Sequence, residues 1–316
     1  MRNARANIGA ATIAAMLALI VTAPRAWAWD NATHKLITRL AIGALPPSPL
    51  KDAFQAHASQ LAEYSIEPDS ILKERYGEAE RRRHYIDLEI FGRDPFAALT
   101  RDRAAMDRRF GRARVNKAGT LPWTIDEMAS KSADAWRRGD CAAMFLYSGY
   151  LSHYAGDATQ PLHTTIHFDG YRRDRGVHAR VELAVEHETE RLGRAAAPQV
   201  HAATIESPWD TALGELRGAH ALVNETIRLD RDARRSGGLG SREYEQALMA
   251  RGESMFARQI AQGASALASI WLLEWRQAGS PALCNRAPGA VSGEYPRDFW
   301  SYRPLEYGAA GQINLN

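Results

Sequence analysis

The stretch "LSHYAGDATQPLHTT", Leu151 to Thr165, sets His153 and Asp157 one helical turn apart, so both project from the same helix face. His163 then follows Pro161, where a helix ends or bends. The helix carrying His153 is mostly apolar, and an imidazole and a carboxylate facing its core must be paired or liganded there. A second pair with the same spacing, His178 and Glu182, lies in "GVHARVELAVEHE". Asp69 in "IEPDS", His84 in "RRRHYID" and His34 add three more groups of the same kind. Taken singly, each reads equally well as a satisfied core group or plain surface. Taken together, imidazoles and carboxylates in helical pairs are what a zinc site is built from, usually four ligands to an ion.

Other hydrolytic chemistries find no footing. "HETER" at His187 starts like the zinc-protease helix signature, but Arg191 stands where the second histidine belongs. No Ser or Cys lies in a nucleophile-elbow context. Cys141 and Cys284 are the sole cysteines, too few for a thiolate cluster and enough for one disulfide if they meet. His187, Glu186 and Glu190 read as exposed helix surface and His167 as loop; His201 and His220, with no acidic partner at ligand spacing, read the same way.

The elements that would position these groups are helices. "HKLITRLAIGAL" repeats Leu36, Ile37, Leu40, Ala41 and Leu45 at three- and four-residue steps. "PWTIDEMASKSADAWRRG" begins with proline, sets Thr124 three residues ahead of Glu127 like a capping box, and ends at Gly139. "CAAMFLYSGYLSHYAGDA" is apolar on most faces and predicts a central buried helix. From Ser241 to Trp275 a long pattern aligns Met249, Phe256, Ile260, Ala264, Leu267 and Trp271. The Gly-rich "RSGGLGSR" lacks the lysine of a phosphate loop and predicts a turn. Strand patterns are scarce, and no linker divides the chain. The expected fold is an all-α, single-domain helical bundle over residues 29–280, with an irregular tail over 281–316.

Arg2 and Arg5, the apolar run from Ile8 to Ala23 and "AWA" at 26–28 form a secretory signal peptide, residues 1–28, cleaved after Ala28. Export to the periplasm or medium follows, with Trp29 as the new N-terminus and no later segment apolar enough to span a membrane. Losing Arg2, Arg5 and Arg25 takes the formal charge from +3 to zero, which removes any global electrostatic case for holding long nucleic acid. The arginines of "RDRAAMDRRFGRAR" are interrupted by Asp102 and Asp107 and read as a solvated helix face.

Trp29 after the cleavage site, His34, Asp69, His84, "HYAGDATQPLH" and "HARVE", in this order, resemble the superfamily of zinc-dependent phospholipases C and fungal-type zinc nucleases. The resemblance runs from Trp29 to Glu182 and implies an all-helical phosphodiesterase with three zinc ions. It implies one zinc on Asp69, His84, His153 and Asp157, and a second on His163, His178 and Glu182. The third would be held by His34, a bridging Asp157, and the amine and carbonyl of Trp29. Such a cluster binds phosphate oxygens and generates hydroxide from zinc-bound water, with Asp69 as ligand and catalytic base. The uncleaved precursor, lacking the amine, is expected to be inactive.

The resemblance divides over substrate. The short gap from His163 to His178, Glu182 where nucleases carry aspartate, and "TTIHFDG" after "QPLH" favour phospholipid headgroup hydrolysis with peripheral membrane contact. The short Trp29-to-His34 spacing is nuclease-like, and Tyr85 and Asp87 could stack on and hydrogen-bond a base. Ala32 and Ser70 stand where a choline grip would be expected, while Leu72, with Lys73 beside it, departs from the nuclease pattern. Phospholipase C is the favoured reading, a single-strand-preferring nuclease the alternative, and a non-catalytic zinc-binding protein the third.

Overall fold

From Cys141 to Asp157 almost every side chain is apolar or small, so no face of the segment suits water. It forms a helix, Cys141–Asp157, buried continuously from Met144 onward. Asp140 opens it by accepting a hydrogen bond from the Ala143 amide at 3.1 Å. Helix Leu121–Arg138 precedes it and ends at Gly139, whose left-handed backbone (φ 66°) lets the chain reverse at once. Against this pair pack the first helix Asn31–Ala44, the short helix Ala58–Tyr64 and the long helix Arg242–Gln277. The computed structural model describes Trp29, residues 31–281 and the backbone of 306–307 and 313–314.

The protein is all-α over its body, with one hydrophobic core running from Trp29 to Leu272. Met249, Phe256, Ile260, Ala264, Leu267 and Trp271 all lie buried along the long helix, as their spacing requires. Ile37, Ala41 and Leu45 do the same for the first helix, with Leu36 and Leu40 half-buried beside them. The segment 235–241 is a turn that leads into the long helix. Among the described residues the sole strand pair is Glu306–Tyr307 with Ile313–Asn314, antiparallel, within the tail expected to be irregular. No helix among the described residues is long and apolar enough to cross a membrane. Residues 1–28 and Cys284 lie outside the described residues, and with them the signal peptide and the Cys141–Cys284 bridge.

Three local expectations need correction. Thr124 is no cap: the helix starts a turn earlier at Leu121, and the Thr124 hydroxyl donates to the Thr120 carbonyl at 3.0 Å. Its supposed partner Glu127 instead turns inward to Arg83 (3.1 Å), because a buried guanidinium needs a carboxylate more than a helix end needs a second cap. The arginine-rich run is two helices, Arg103–Phe110 and Arg112–Ala118, broken at Gly111. Arg101, which opens the run, grips buried Asp126 through two bonds of 2.7 and 2.9 Å rather than facing water. Glu186 is not free surface either. Its carboxylate accepts from the Ala32 amide at 2.9 Å and ties the first turn of helix Asn31–Ala44 to helix Val177–His187.

Candidate metal centre

The central helix delivers His153 and Asp157 fully buried at its C-terminal end. Pro161 opens a short 3-10 turn, Pro161–Thr164, which folds His163 back under them. Helix Val177–His187 brings His178 and Glu182 from the side. Asp69 sits in the single π-helical turn Pro68–Leu72, and His84 follows the short helix Glu78–Arg81. Helix Asn31–Ala44 carries His34, stacked on His153 with ring centroids 3.9 Å apart. That stacking needs Gly156, since a Cβ there would lie 3.0 Å from His34 Nδ1.

The groups gather in two neighbourhoods joined by Asp157. In the first, His153 Nε2 stands 2.9 Å from His84 Nδ1, 3.3 Å from Asp157 Oδ2 and 3.7 Å from Asp69 Oδ1. His84 Nδ1 is 3.1 Å from Asp157 Oδ2 and 3.3 Å from Asp69 Oδ1. In the second, His163 Nε2 faces His178 Nε2 at 3.1 Å, and Glu182 Oε1 lies 2.7 Å from His178 Nε2 and 3.6 Å from His163 Nε2. The other oxygen of Asp157, Oδ1, points to His34 Nε2 at 3.5 Å. Trp29 is buried alongside, its indole N–H donating to the Gly156 carbonyl at 3.0 Å.

Hydrogen bonds fix which ring nitrogens remain available. His153 Nδ1–H donates to the Ser65 carbonyl at 2.7 Å, and His163 Nδ1–H to the His84 carbonyl at 2.7 Å. Each Nε2 therefore keeps its lone pair and aims it at another ligand-type nitrogen or oxygen. Lone pairs that converge at about 3 Å without a proton repel, and a cation between them turns repulsion into ligation. His34 Nε2, Asp157 Oδ1 and Glu182 Oε2 are also buried with no hydrogen-bond partner. Each such orphan costs about 1–3 kcal/mol unless something compensates it. An imidazole and carboxylate donor set with these vacant lone pairs fits zinc.

Burial opposes charge on His153 and His163, yet Asp157 raises both above the usual histidine range, so without a cation a proton takes the place between these lone pairs. Burial and the neighbouring His153 hold His34 well below the usual histidine range, leaving it a neutral donor. Burial opposes ionisation of Asp157, yet His153 and His163 hold its carboxyl well below the ordinary value. Burial likewise opposes charge on Asp69, and Lys73, which forms an ion pair with it, brings it below the usual range.

Residues around this set do supporting work that the sequence pattern does not announce. Glu80, fully buried, lies 3.2 Å from His84 Nε2 and accepts from the Tyr154 hydroxyl. Its signal is the one-turn spacing to His84, hidden in the charged run "EAERRR". Gln160 donates from Nε2 to Glu182 Oε1 at 2.8 Å, while its own carbonyl accepts from the Leu162 amide at 2.8 Å.

The cluster opens on a cleft of about 310 Å³ floored by His84, His163 and His178. Lys73 and Arg81 give it positive charge, and Tyr85, Leu162 and Phe168 give it apolar wall. Asp87 lines it too, its carboxyl pushed up to about 7 by burial and by Glu89. Cys141 is at the opposite end of the central helix, about 24 Å from Asp157 at helical rise.

Residues 33–218 match a family model described as zinc-dependent phospholipase C. Among solved structures, the alpha-toxin of Clostridium perfringens from an avian strain is similar at 15% identity and a TM-score of 0.46, over 76% of this chain and 62% of the toxin. The alpha toxin of Clostridium absonum is similar at 13% identity and a TM-score of 0.44, over 80% of this chain and 65% of the toxin. The chain thus spans under two thirds of the length of either toxin. No curated protein matches it by sequence.

Proposed function

This chain belongs to the zinc-dependent phospholipase C family, and on that premise we propose that it is an exported phosphodiesterase that hydrolyses phospholipid headgroup diesters. The observation that supports the reading is the set of buried imidazole–carboxylate groups that meet beneath one cleft, which His84, His163 and His178 line. Asp69, His84, His153 and Asp157 would hold one zinc ion, and His163, His178 and Glu182 a second. His34, Asp157 and the main chain of Trp29 would hold a third, its amine freed by cleavage after Ala28. When bound, zinc supplies Lewis acidity that neutralises phosphate charge and lowers the pKa of water.

The chain's own residues do the rest. Lys73 and Arg81 bring positive charge to the mouth and draw an anionic diester inward. Asp69, kept ionised by its ion pair with Lys73, would orient an attacking water and take its proton. The walls of Tyr85, Leu162 and Phe168 suit the glycerol end of a lipid and exclude water from the reacting phosphate. Asp87, at the same mouth, can accept a hydrogen bond from the headgroup or carry its positive charge once ionised.

A nuclease activity would use the same cluster, with Tyr85 as a base platform and Asp87 as its hydrogen-bond partner. Tyr85 is half-buried at the cleft edge, its hydroxyl 3.5 Å from the Lys117 carbonyl. The deciding experiment assays the zinc-loaded protein side by side on phosphatidylcholine and on single-stranded nucleic acid, with and without chelator. Chelator-sensitive release of a phosphorylated headgroup is the expected result. Cleavage of the nucleic acid alone would transfer the site to the second reading, and zinc with neither activity would leave a binding protein.

A further inference from the structure

Four large hydrophobic side chains are exposed among the described residues, and three of them, Ile166, Phe168 and Tyr171, share one loop, residues 165–176. Each shows more than two fifths of its surface to solvent, at 45%, 48% and 43%. The same loop exposes Arg172, Arg173 and Arg175. Its acids point the other way. Buried Asp174 takes two bonds from Arg231 at 3.0 and 2.9 Å, and Asp169 accepts from the Gly176 amide at 2.6 Å. Glu89 holds the loop's start by accepting from the Thr165 hydroxyl and, at 3.1 Å, from the Ile166 amide. Arg234 holds its middle through the Arg173 carbonyl at 3.0 Å.

The backbone is therefore pinned at several points while Ile166, Phe168 and the arginines reach outward, and Tyr171 stays exposed even as its hydroxyl donates to Asn224 Oδ1 at 3.2 Å. Such an arrangement costs solubility and contributes little to the core, so it points to a surface that receives it. The loop is also continuous with the cleft, because Phe168 lies 5.9 Å from the His178 ring. We propose that the 165–176 loop docks the protein on an anionic phospholipid surface, with Ile166, Phe168 and Tyr171 entering the headgroup–acyl boundary and Arg172 and Arg173 meeting lipid phosphates. Aromatic and aliphatic side chains at that depth, flanked by arginine, are the chemistry of interfacial anchoring. A single-stranded nucleic acid would also meet arginines and aromatic faces, but aliphatic Ile166 has no π-surface to stack on a base. The proposal rests on reading the cleft as a phospholipid site.

The test measures co-sedimentation of the zinc-loaded protein with mixed phosphatidylcholine–phosphatidylglycerol vesicles and with phosphatidylcholine vesicles. It compares the parent with Ile166→Ser/Tyr171→Ser and Arg172→Glu/Arg173→Glu, leaving Phe168 intact because it also lines the cleft. Hydrolysis of a soluble chromogenic phosphocholine diester and thermal unfolding are followed in the same samples. The expected result is vesicle affinity reduced about tenfold or more in both variants. The charge reversal also abolishes the preference for mixed vesicles, with soluble-diester hydrolysis and melting unchanged. Parental vesicle binding in both variants overturns the proposal. Loss of affinity for a single-stranded oligonucleotide instead of vesicles overturns it too and assigns the loop to nucleic acid. Loop-dependent vesicle binding by a protein inactive on every diester upholds the docking surface and removes the phospholipase reading, so the two failures are separable.

Discussion

Glu80 lies behind His84, whose other ring nitrogen faces the cluster, and Gln160 steadies the same Glu182 oxygen that faces His178. Such orienting partners are worth about 10–100-fold in metal affinity. Glu80→Gln is thus expected to weaken zinc binding by about that factor while leaving the helical fold intact, as a competitive chelator titration with circular dichroism would show. Unchanged affinity would mean that His84 needs no such partner. Asp157→Asn should do more, because this one carboxylate faces His84 and His153 with one oxygen and His34 with the other. Its expected effect is a fall in diester hydrolysis of about a hundredfold or more, and retention of parental kcat/KM would remove Asp157 from the site. The pairs His153–Asp157 and His178–Glu182 were legible because one-turn spacing survives any tertiary arrangement, whereas His34, Asp69, His84 and His163 stood out by their order along the chain in the family resemblance. Glu80 was not legible, since an acid inside "EAERRR" looks solvated until the chain packs Tyr154 and Arg83 against it.

At the scale of elements, the site depends on how closely helix Asn31–Ala44 approaches the central helix. Gly156 permits the contact, with His34 Nδ1 at 3.0 Å and Ile37 Cδ1 at 3.1 Å from where a Cβ would stand. Gly156→Ala should push the first helix outward and destabilise the fold by about 1–3 kcal/mol, read by chemical denaturation. Stability within experimental error of the parent would show that His34 can move freely. Glu186 makes the complementary contact by holding the Ala32 amide beside Trp29. Helix positions were readable because core spacing fixes them: the central helix, the long helix and the stop at Gly139 all follow from apolar periodicity and glycine. What escaped was end chemistry and pairing. Thr124 met a capping pattern but lies inside the helix, and Glu186 looked like surface, because partners such as Arg83 and Ala32 are distant in the chain.

For the molecule as a whole, a buried acid outside the cluster shapes the response to pH. Glu274, on the long helix, is fully buried with both carboxylate oxygens unpartnered, and burial pushes its carboxyl well above the ordinary 4.5, against a small opposing effect of Ser132. The folded protein keeps this proton and the unfolded chain releases it above about pH 4.5, so stability contributed here is present below that pH and declines as pH rises, by about 1.4 kcal/mol per unit. Glu274→Gln should flatten the decline and exceed the parent in stability at pH 8, with little difference near pH 4. Urea unfolding at the two pH values checks this, and parallel pH profiles would contradict it. The broad architecture was legible in composition and periodicity, whereas the outward loop at 165–176 was not, because exposure of Ile166 and Phe168 is set by what packs elsewhere.

The proposed activity needs zinc held by residues from five separate stretches of the chain together with a processed N-terminus. Elemental analysis of the purified, processed protein, beside the same protein carrying Asp157→Asn, tests this most directly. The account predicts zinc at a ratio approaching three per chain in the parent, with a clear loss in the variant and in uncleaved precursor, on the coordination numbers zinc adopts. A parent that binds no zinc, or equal zinc in the parent and the Asp157→Asn variant, would contradict it.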